Sequence, residues 1–252
     1  MSALSVTPVK GLALHHPPEV LLEPGVGVAE NRRFYLVDAR GRLLAGVRHG
    51  PLVRVRAEYD PVDEHLALRF PDGRLVEGRV DPAEPLTTDF YGRSVAGHVV
   101  RGHWADALSA YVGRSVRLVR ADRPGAACDV HVATLVSRAS LAEAGRRAGR
   151  EAPLDGRRFR MLLEVDGCTP HEEDSWAGRD LRVGEAVLRV PGPVPRCAVT
   201  TQDPETGVPD LDTLRVIKGY RGVREGRKID FGVYADVVRG GRVRLGDVVE
   251  PV

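Results

Sequence analysis

The chain has 252 residues, 42% of them apolar, which is enough for a proper core in one large domain or two small ones. Its 37 basic and 35 acidic residues nearly cancel, arguing against a dedicated nucleic-acid binder and leaving any anion site to local placement of arginines. Three widely spaced cysteines, Cys128, Cys168 and Cys197, contain no CxxC pair, so a zinc knuckle, an iron–sulfur cluster and a disulfide scaffold are all unsupported, and a cytoplasmic setting is expected. With no basic-then-apolar leader and no apolar run of about 18 residues, neither a signal peptide nor a membrane-spanning helix is expected.

The first hundred residues read as short strands broken by turn residues. Residues 5–9 form the first, and a loop rich in proline and glycine (Pro17, Pro18, Pro24, Gly25, Gly27) follows. The run 33–38 is joined by a hairpin turn at 39–42 to 43–47. Residues 52–58 alternate, with Arg54 and Arg56 set against Leu52, Val53 and Val55. Residues 65–70 also alternate, and Pro71-Asp72-Gly73 turns them into 74–80. This spacing predicts a barrel or sandwich.

A helix over 104–112, with apolar residues at helical spacing, is expected to stop at Gly113. A strand at 115–120, a loop at 122–126 and a strand at 130–136 come next. Ser140 with Glu143 fits a capping box, so a helix is expected to begin at Ser137 or Ser140. Strands are predicted at 158–165, 186–190 and 197–201, then a helix over 212–220 capped by Asp212, and closing strands at 229–238 and 242–250. Mainly β with a few short helices is the fold class.

Four constellations could carry chemistry. The strand-to-helix junction at Ser137 and Ser140 offers free N–H groups and hydroxyls, suited to phosphate or to ordinary capping. On a strand, Arg158 and Arg160 would share one face, opposite Phe159, and could clamp an oxyanion or form surface ion pairs. Residues 170–176 place Glu172, Glu173 and Asp174 beside Trp176, as acid–base groups or as a solvated turn. Cys197, beside Arg196 at the head of a β-branched run, reads as a core thiol, a nucleophile or a metal ligand. The eight histidines show no ligand spacing, and no P-loop, Rossmann or Gly-x-Ser-x-Gly pattern occurs.

The ordered set of motifs resembles the MOSC family (molybdenum cofactor sulfurase C-terminal domain) with its N-terminal β-barrel domain. Thr7-Pro8-Val9-Lys10-Gly11 resembles Tyr-Pro-Ile/Val-Lys-Ser, and Asn31-Arg32-Arg33-Phe34-Tyr35-Leu36-Val37-Asp38 resembles Asp-Arg-Arg-Trp-x-Leu-Val-Asp. Val136-Ser137-Arg138-Ala139-Ser140-Leu141, Arg158-Phe159-Arg160 and Glu173-Asp174-Ser175-Trp176 follow in family order. The stretch from Pro195-Arg196-Cys197 to Glu205-Thr206-Gly207 matches almost residue for residue. Departures are Gly11 for serine, Asn31 for aspartate, Phe34 for tryptophan, Met161-Leu162 for Pro-Asn, and Asp129-Val130-His131 where the amidoxime-reducing branch has Asp-Thr-Ser.

The resemblance implies a smaller N-terminal barrel over 1–95 and a MOSC-type barrel over 96–252. It implies the molybdenum cofactor, with Cys197 as the metal ligand and catalytic thiolate, and Lys10, Arg32, Ser137 and Arg160 on its phosphate and pterin. Ser140, Arg158 and Arg196, beside these, are further cofactor-binding candidates. His131, Asp174 and Asp203 are candidate proton donors. The implied reaction is two-electron reduction of a small N-oxygenated substrate. No appended ferredoxin domain is read in the chain, so electrons would come from a separate ferredoxin- or flavin-type donor, with no nucleic-acid or membrane partner. The family is also linked to pyridoxal phosphate binding. Two alternatives stay open: cofactor-free persulfide, sulfur-transfer or C–S bond chemistry at Cys197, and a cofactor carrier without turnover.

Overall fold

Strands do dominate the computed structural model, which describes residues 1–44 and 46–252, and the α-helices among the described residues are α1 (Trp104–Val112), α2 (Arg138–Arg147) and α3 (Thr213–Arg221). None of these helices is long and apolar enough to cross a membrane.

The first half is built on an antiparallel sheet in the order Phe34–Val37, Arg117–Ala121, Arg93–Arg101, Asp81–Phe90. A three-stranded meander, Arg56–Asp60, His65–Arg69 and Leu75–Arg79, completes it. One apolar cluster including Leu36, Val55, Leu66, Leu68, Trp104, Leu108 and Leu118 joins both sheets to α1. The expected boundary at 95–96 falls inside the strand Arg93–Arg101, both of whose partners lie in this sheet.

The second half holds an eight-stranded sheet, in which Ala133–Ser137 runs parallel to Leu163–Val165. Parallel neighbours need a crossover, and α2 with the loop behind it supplies it, which fixes a helix N-terminus at the end of Ala133–Ser137. The N-terminal segment threads between the two halves. Ala3–Leu4 pairs with Leu163–Val165 of the second sheet, whereas Val9 bridges Phe34 of the first. Lys10 therefore emerges at the seam.

Several expected elements differ. Residues 5–9 make only isolated bridges, and the segment read as a loop contains the strand Glu19–Leu22, paired to Gly241–Arg244. Of 43–47, Leu43 bridges Val37 and Gly46–Arg48 is a 3-10 turn, while Ala45 lies outside the described residues. Pro51 opens a 3-10 turn, Gly50–Arg54, so the strand expected over 52–58 starts late, at Arg56–Asp60. The hairpin Asp81–Phe90/Arg93–Arg101 was hidden by Pro82 and Pro85, which are tolerated where its register shifts. Residues 242–250 split into Gly241–Arg244 and Val249–Pro251.

Two differences bear on function. The strand expected over 158–165 is a 3-10 turn, Gly156–Phe159, then Arg160 in the left-handed region (φ 51°), and only then the strand Leu163–Val165. The strand expected at 197–201 is also a 3-10 turn, Ala198–Thr201. Its threonine hydroxyls turn back on the backbone, Thr200 Oγ1 donating to Cys197 O (3.1 Å) and Thr201 Oγ1 to Ala198 O (2.7 Å). Local side-chain bonding of this kind outcompetes a sheet ladder despite the β-branched composition.

Candidate functional site

Three cations meet at the seam. Lys10 Nζ donates to Asp129 Oδ1 (2.6 Å) and to Ala127 O (3.2 Å). Arg32, in the left-handed region at φ 54°, puts Nη1 on Asp129 Oδ2 (2.9 Å) and Nη2 on Arg160 O (3.3 Å). The left-handed turn at Arg160 aims its own Nη2 at Leu12 O (2.6 Å). The Lys10 ammonium is lowered by burial, against the pull of Asp129. Burial, reinforced by the charge of Arg32, pushes Arg160 down to about 10. Burial alone would raise the Asp129 carboxyl, but Lys10 and Arg32 hold it well below the usual carboxylate range. Among the described residues Arg160 has no carboxylate partner, so the cluster of Lys10, Arg32 and Arg160 against Asp129 keeps surplus positive charge.

Cys197 is exposed, at the N-terminal edge of the Ala198–Thr201 turn, and its side chain caps nothing. Arg196 packs onto residues 159–161. Its Nη2 donates to Phe159 O and its Nη1 meets Met161 Sδ (3.2 Å), with the guanidinium 5.4 Å from the Phe159 ring centroid. Arg196 Nε is buried without a hydrogen-bond partner. Tyr234 is raised by burial, by Asp129 and also by Cys197. Tyr234 and Arg196 thus feel both the thiol and Asp129 of the cation cluster.

The remaining sequence candidates are held elsewhere. Ser137 caps α2, its Oγ accepting from Ser140 N (3.1 Å) and meeting Ser140 Oγ (2.8 Å). Ser140 Oγ also accepts from His171 N (2.8 Å). The anion at this helix start is the protein's own: Ser137 N donates to Glu173 Oε1 (3.3 Å), and Glu173 is fully buried. The capping box expected from Ser140 and Glu143 does not form, because Glu143 pairs with Arg146 and Arg147.

The expected Arg158/Arg160 clamp is not made either. Arg158, buried, forks onto Asp210 (2.6 and 2.5 Å) and donates to Gln202 O (2.9 Å), holding the 202–210 loop in place. His131 Nδ1 meets Asp236 Oδ2 (2.8 Å) beside the Tyr234 ring. Asp174 accepts from Arg221 Nη2 (2.6 Å). Asp203 Oδ1 accepts from Glu205 N, Thr206 N and Thr206 Oγ1 (3.1, 2.9 and 3.0 Å), an ordinary turn assignment. Among the described residues no group of three or more His, Cys, Asp and Glu side chains is placed to hold a metal ion.

A cavity of about 680 Å³ opens between residues 13–16, 53–56 and 71 on one side and 157–160 and 199–206 on the other. The loops at Gly50 and Gly207 touch backbone to backbone, since a Cβ on Gly50 would strike Gly207 O. Sequence reasoning had no role for Glu173 as the capping anion or for Arg54 and Arg56 on this cavity. The alternation of residues 52–58 was the available signal for the arginines.

A profile of the MOSC domain matches residues 122–250, just over half of the chain. Mitochondrial amidoxime reducing component 2 of Homo sapiens is 36% identical over 125 residues, 46% of this chain and 35% of that protein. Molybdenum cofactor sulfurase of Drosophila grimshawi is 37% identical over 254 residues, 92% of this chain and 31% of that protein. The chain spans about a third of the length of the curated relatives it matches. Among solved structures, the YuaD protein of Bacillus subtilis is 12% identical with a TM-score of 0.43, covering 99% of this chain and 94% of that one.

Proposed function

This chain belongs to the MOSC domain family, and on that premise we propose that it binds the molybdenum cofactor at the seam and reduces a small N-oxygenated compound with electrons from a separate ferredoxin- or flavin-type donor. The observation that carries the reading is the surplus positive charge of Lys10, Arg32 and Arg160 over the single carboxylate of Asp129, with the exposed Cys197 following Arg196, whose guanidinium bonds the Phe159 carbonyl next to Arg160. A terminal phosphate fits those cations, since one carboxylate leaves them undercompensated. A soft thiolate suits molybdenum. The unpartnered Nε of Arg196 is a further donor without an acceptor in the fold.

In this reading Lys10, Arg32 and Arg160 hold the phosphate and Cys197 Sγ takes the metal. When bound, the cofactor supplies two-electron redox chemistry. Arg32 also fixes the backbone of Arg160 through its carbonyl, which sets the left-handed turn that aims the guanidinium. Met161, standing where the family has proline, accepts from Arg196 through Sδ. A proton must reach the substrate oxygen as its N–O bond breaks. Of the three candidates, Asp174 is engaged by Arg221 and Asp203 by its own turn. His131 lines the small pocket formed with Arg32 and Arg160, and Asp236 on its Nδ1 fixes the ring, so His131 is assigned to hold the proton.

Metal analysis of protein purified from a molybdenum-replete host tests the reading. Near-stoichiometric molybdenum in the wild type, lost in Cys197→Ala, supports it, and metal-free wild type from a competent host sinks it. The exposure of Cys197 favours thiol chemistry as the second reading, for which mass spectrometry would find a native persulfide on Cys197 and no metal.

A further inference from the structure

We propose that the cavity beside the Ala198–Thr201 turn binds a small organic anion, an apolar body carrying one oxyanion group such as a carboxylate or a phosphate ester. Its volume of about 680 Å³ exceeds what a bare inorganic ion would fill and suits a small molecule. Leu14, Val53 and Val199 offer apolar contact on its walls. Arginines surround them, and only some have partners. Arg157 is taken by Asp155 (2.6 Å) and Glu205 (2.5 Å), and Arg158 by Asp210 (2.5 Å). Of the wall's own acids, Glu205 pairs with Arg157, and Asp203 accepts its turn amides through Oδ1 while Oδ2 lies 3.9 Å from Arg158.

Arg54 and Arg56 are left over, and Arg160, shared with the cation cluster, borders them. Among the described residues Arg54 makes no hydrogen bond or ion pair, Arg56 only a 3.5 Å contact from Nε to His15 Nδ1, and Arg160 the single bond to Leu12 O. Guanidinium groups recognise oxyanions by paired N–H donors, and a half-enclosed pocket strengthens them over the same groups in open water. Two observations tie the cavity to the proposed chemistry. Arg160 belongs to both the cavity and the cation cluster, and Val199 lies two residues beyond Cys197 on the same turn. An anion held here is therefore the substrate's, and that last step rests on the reductase reading; the binding itself does not.

Calorimetric titration of the purified protein with benzoate, phenyl phosphate and neutral benzyl alcohol tests this, with molybdenum measured on the same samples. Both anions are expected to bind more tightly than the alcohol, with affinity falling as salt is added. The Arg54→Ala/Arg56→Ala double variant, which alters exposed side chains, should melt as the wild type does, keep its molybdenum and lose about tenfold in anion affinity. Anion affinity unchanged in that variant, alcohol binding as tight as benzoate, or no binding of any probe would each overturn the proposal. Anion binding without molybdenum would remove the reductase reading alone, and molybdenum without anion preference would remove this inference alone. Whichever anion binds more tightly, benzoate or phenyl phosphate, names the oxyanion.

Discussion

Two places in this molecule have the makings of an anion site, and they have come to opposite ends. At the start of α2, the helix amides and two serine hydroxyls are met from inside: Ser137 N bonds the fully buried carboxylate of Glu173, and the hydroxyls bond each other and nearby amides. At the seam, Lys10 and Arg32 share Asp129, a carboxylate whose side chain is 45% exposed, and Arg160 has a backbone oxygen alone. The first site is closed, its anion supplied by the fold, with Glu173 Oε1 on the helix start and Oε2 buried without a partner among the described residues. The second keeps cationic surplus, and Arg196, the neighbour of the free Cys197, bonds the Phe159 carbonyl next to Arg160. What separates a cap from a binding site is therefore the counter-charge that the rest of the fold delivers, and the local motif does not carry that information.

Substitutions on each side should separate function from stability. Cys197→Ala is expected to have the largest functional effect, removing essentially all bound molybdenum. Because the side chain is exposed, urea denaturation should place its stability within about 0.5 kcal/mol of the wild type. Glu173→Ala should do the reverse. It leaves the Ser137 amide and the helix start without their buried acceptor, and a loss of about 3 kcal/mol is expected by denaturation, with metal content per folded molecule unchanged. Glu173→Gln, which keeps an acceptor oxygen, should recover part of that loss. If Glu173→Gln instead emptied the metal site while folding normally, the α2 start would belong to the binding machinery and the contrast would fail. Ser137→Ala removes only the capping hydroxyl, and about 1 kcal/mol of destabilisation is expected from the same measurement.

The β-rich class, helices α1 and α3 with their Gly113 and Asp212 ends, and the meander over 56–79 could be read from periodicity and turn residues. The two segments nearest the proposed chemistry could not. Ala198-Val199-Thr200-Thr201 has strand composition, and only the back-bonding of its threonines makes it a 3-10 turn. Arg158-Phe159-Arg160 looked like a strand with two arginines on one face, but the left-handed Arg160 sends them to different tasks. That conformation is held by Arg32 from more than a hundred residues away, through the Arg160 carbonyl. The convergence of Lys10, Arg32 and Arg160 was implied by family resemblance, whereas Asp129 between the first two, and Glu173 under α2, are products of tertiary packing that no window of sequence displays.

The smallest expected effect is the sharpest probe of the seam. Asp129 is the one carboxylate that Lys10 and Arg32 share, and its carboxyl is held far below its ordinary value of 3.8, burial opposing and the two cations prevailing. A folded-state value below the unfolded one means that the unfolded chain binds the proton more readily. The stabilisation is thus full well above about pH 4 and is lost as the pH falls below it. Asp129→Asn should therefore be less stable than the wild type near neutral pH, by about 1 kcal/mol because a half-exposed pair is screened by water, and the gap should close on acidification. The same substitution frees two cations, so inorganic phosphate should bind the metal-free variant several-fold more tightly than the wild type, as a calorimetric titration would show. Weaker phosphate binding would mean that the carboxylate orients Lys10 and Arg32 and does not compete with the ligand. In that case the seam resembles the α2 start more than its charge suggests, and Arg160 alone would remain as the open cation.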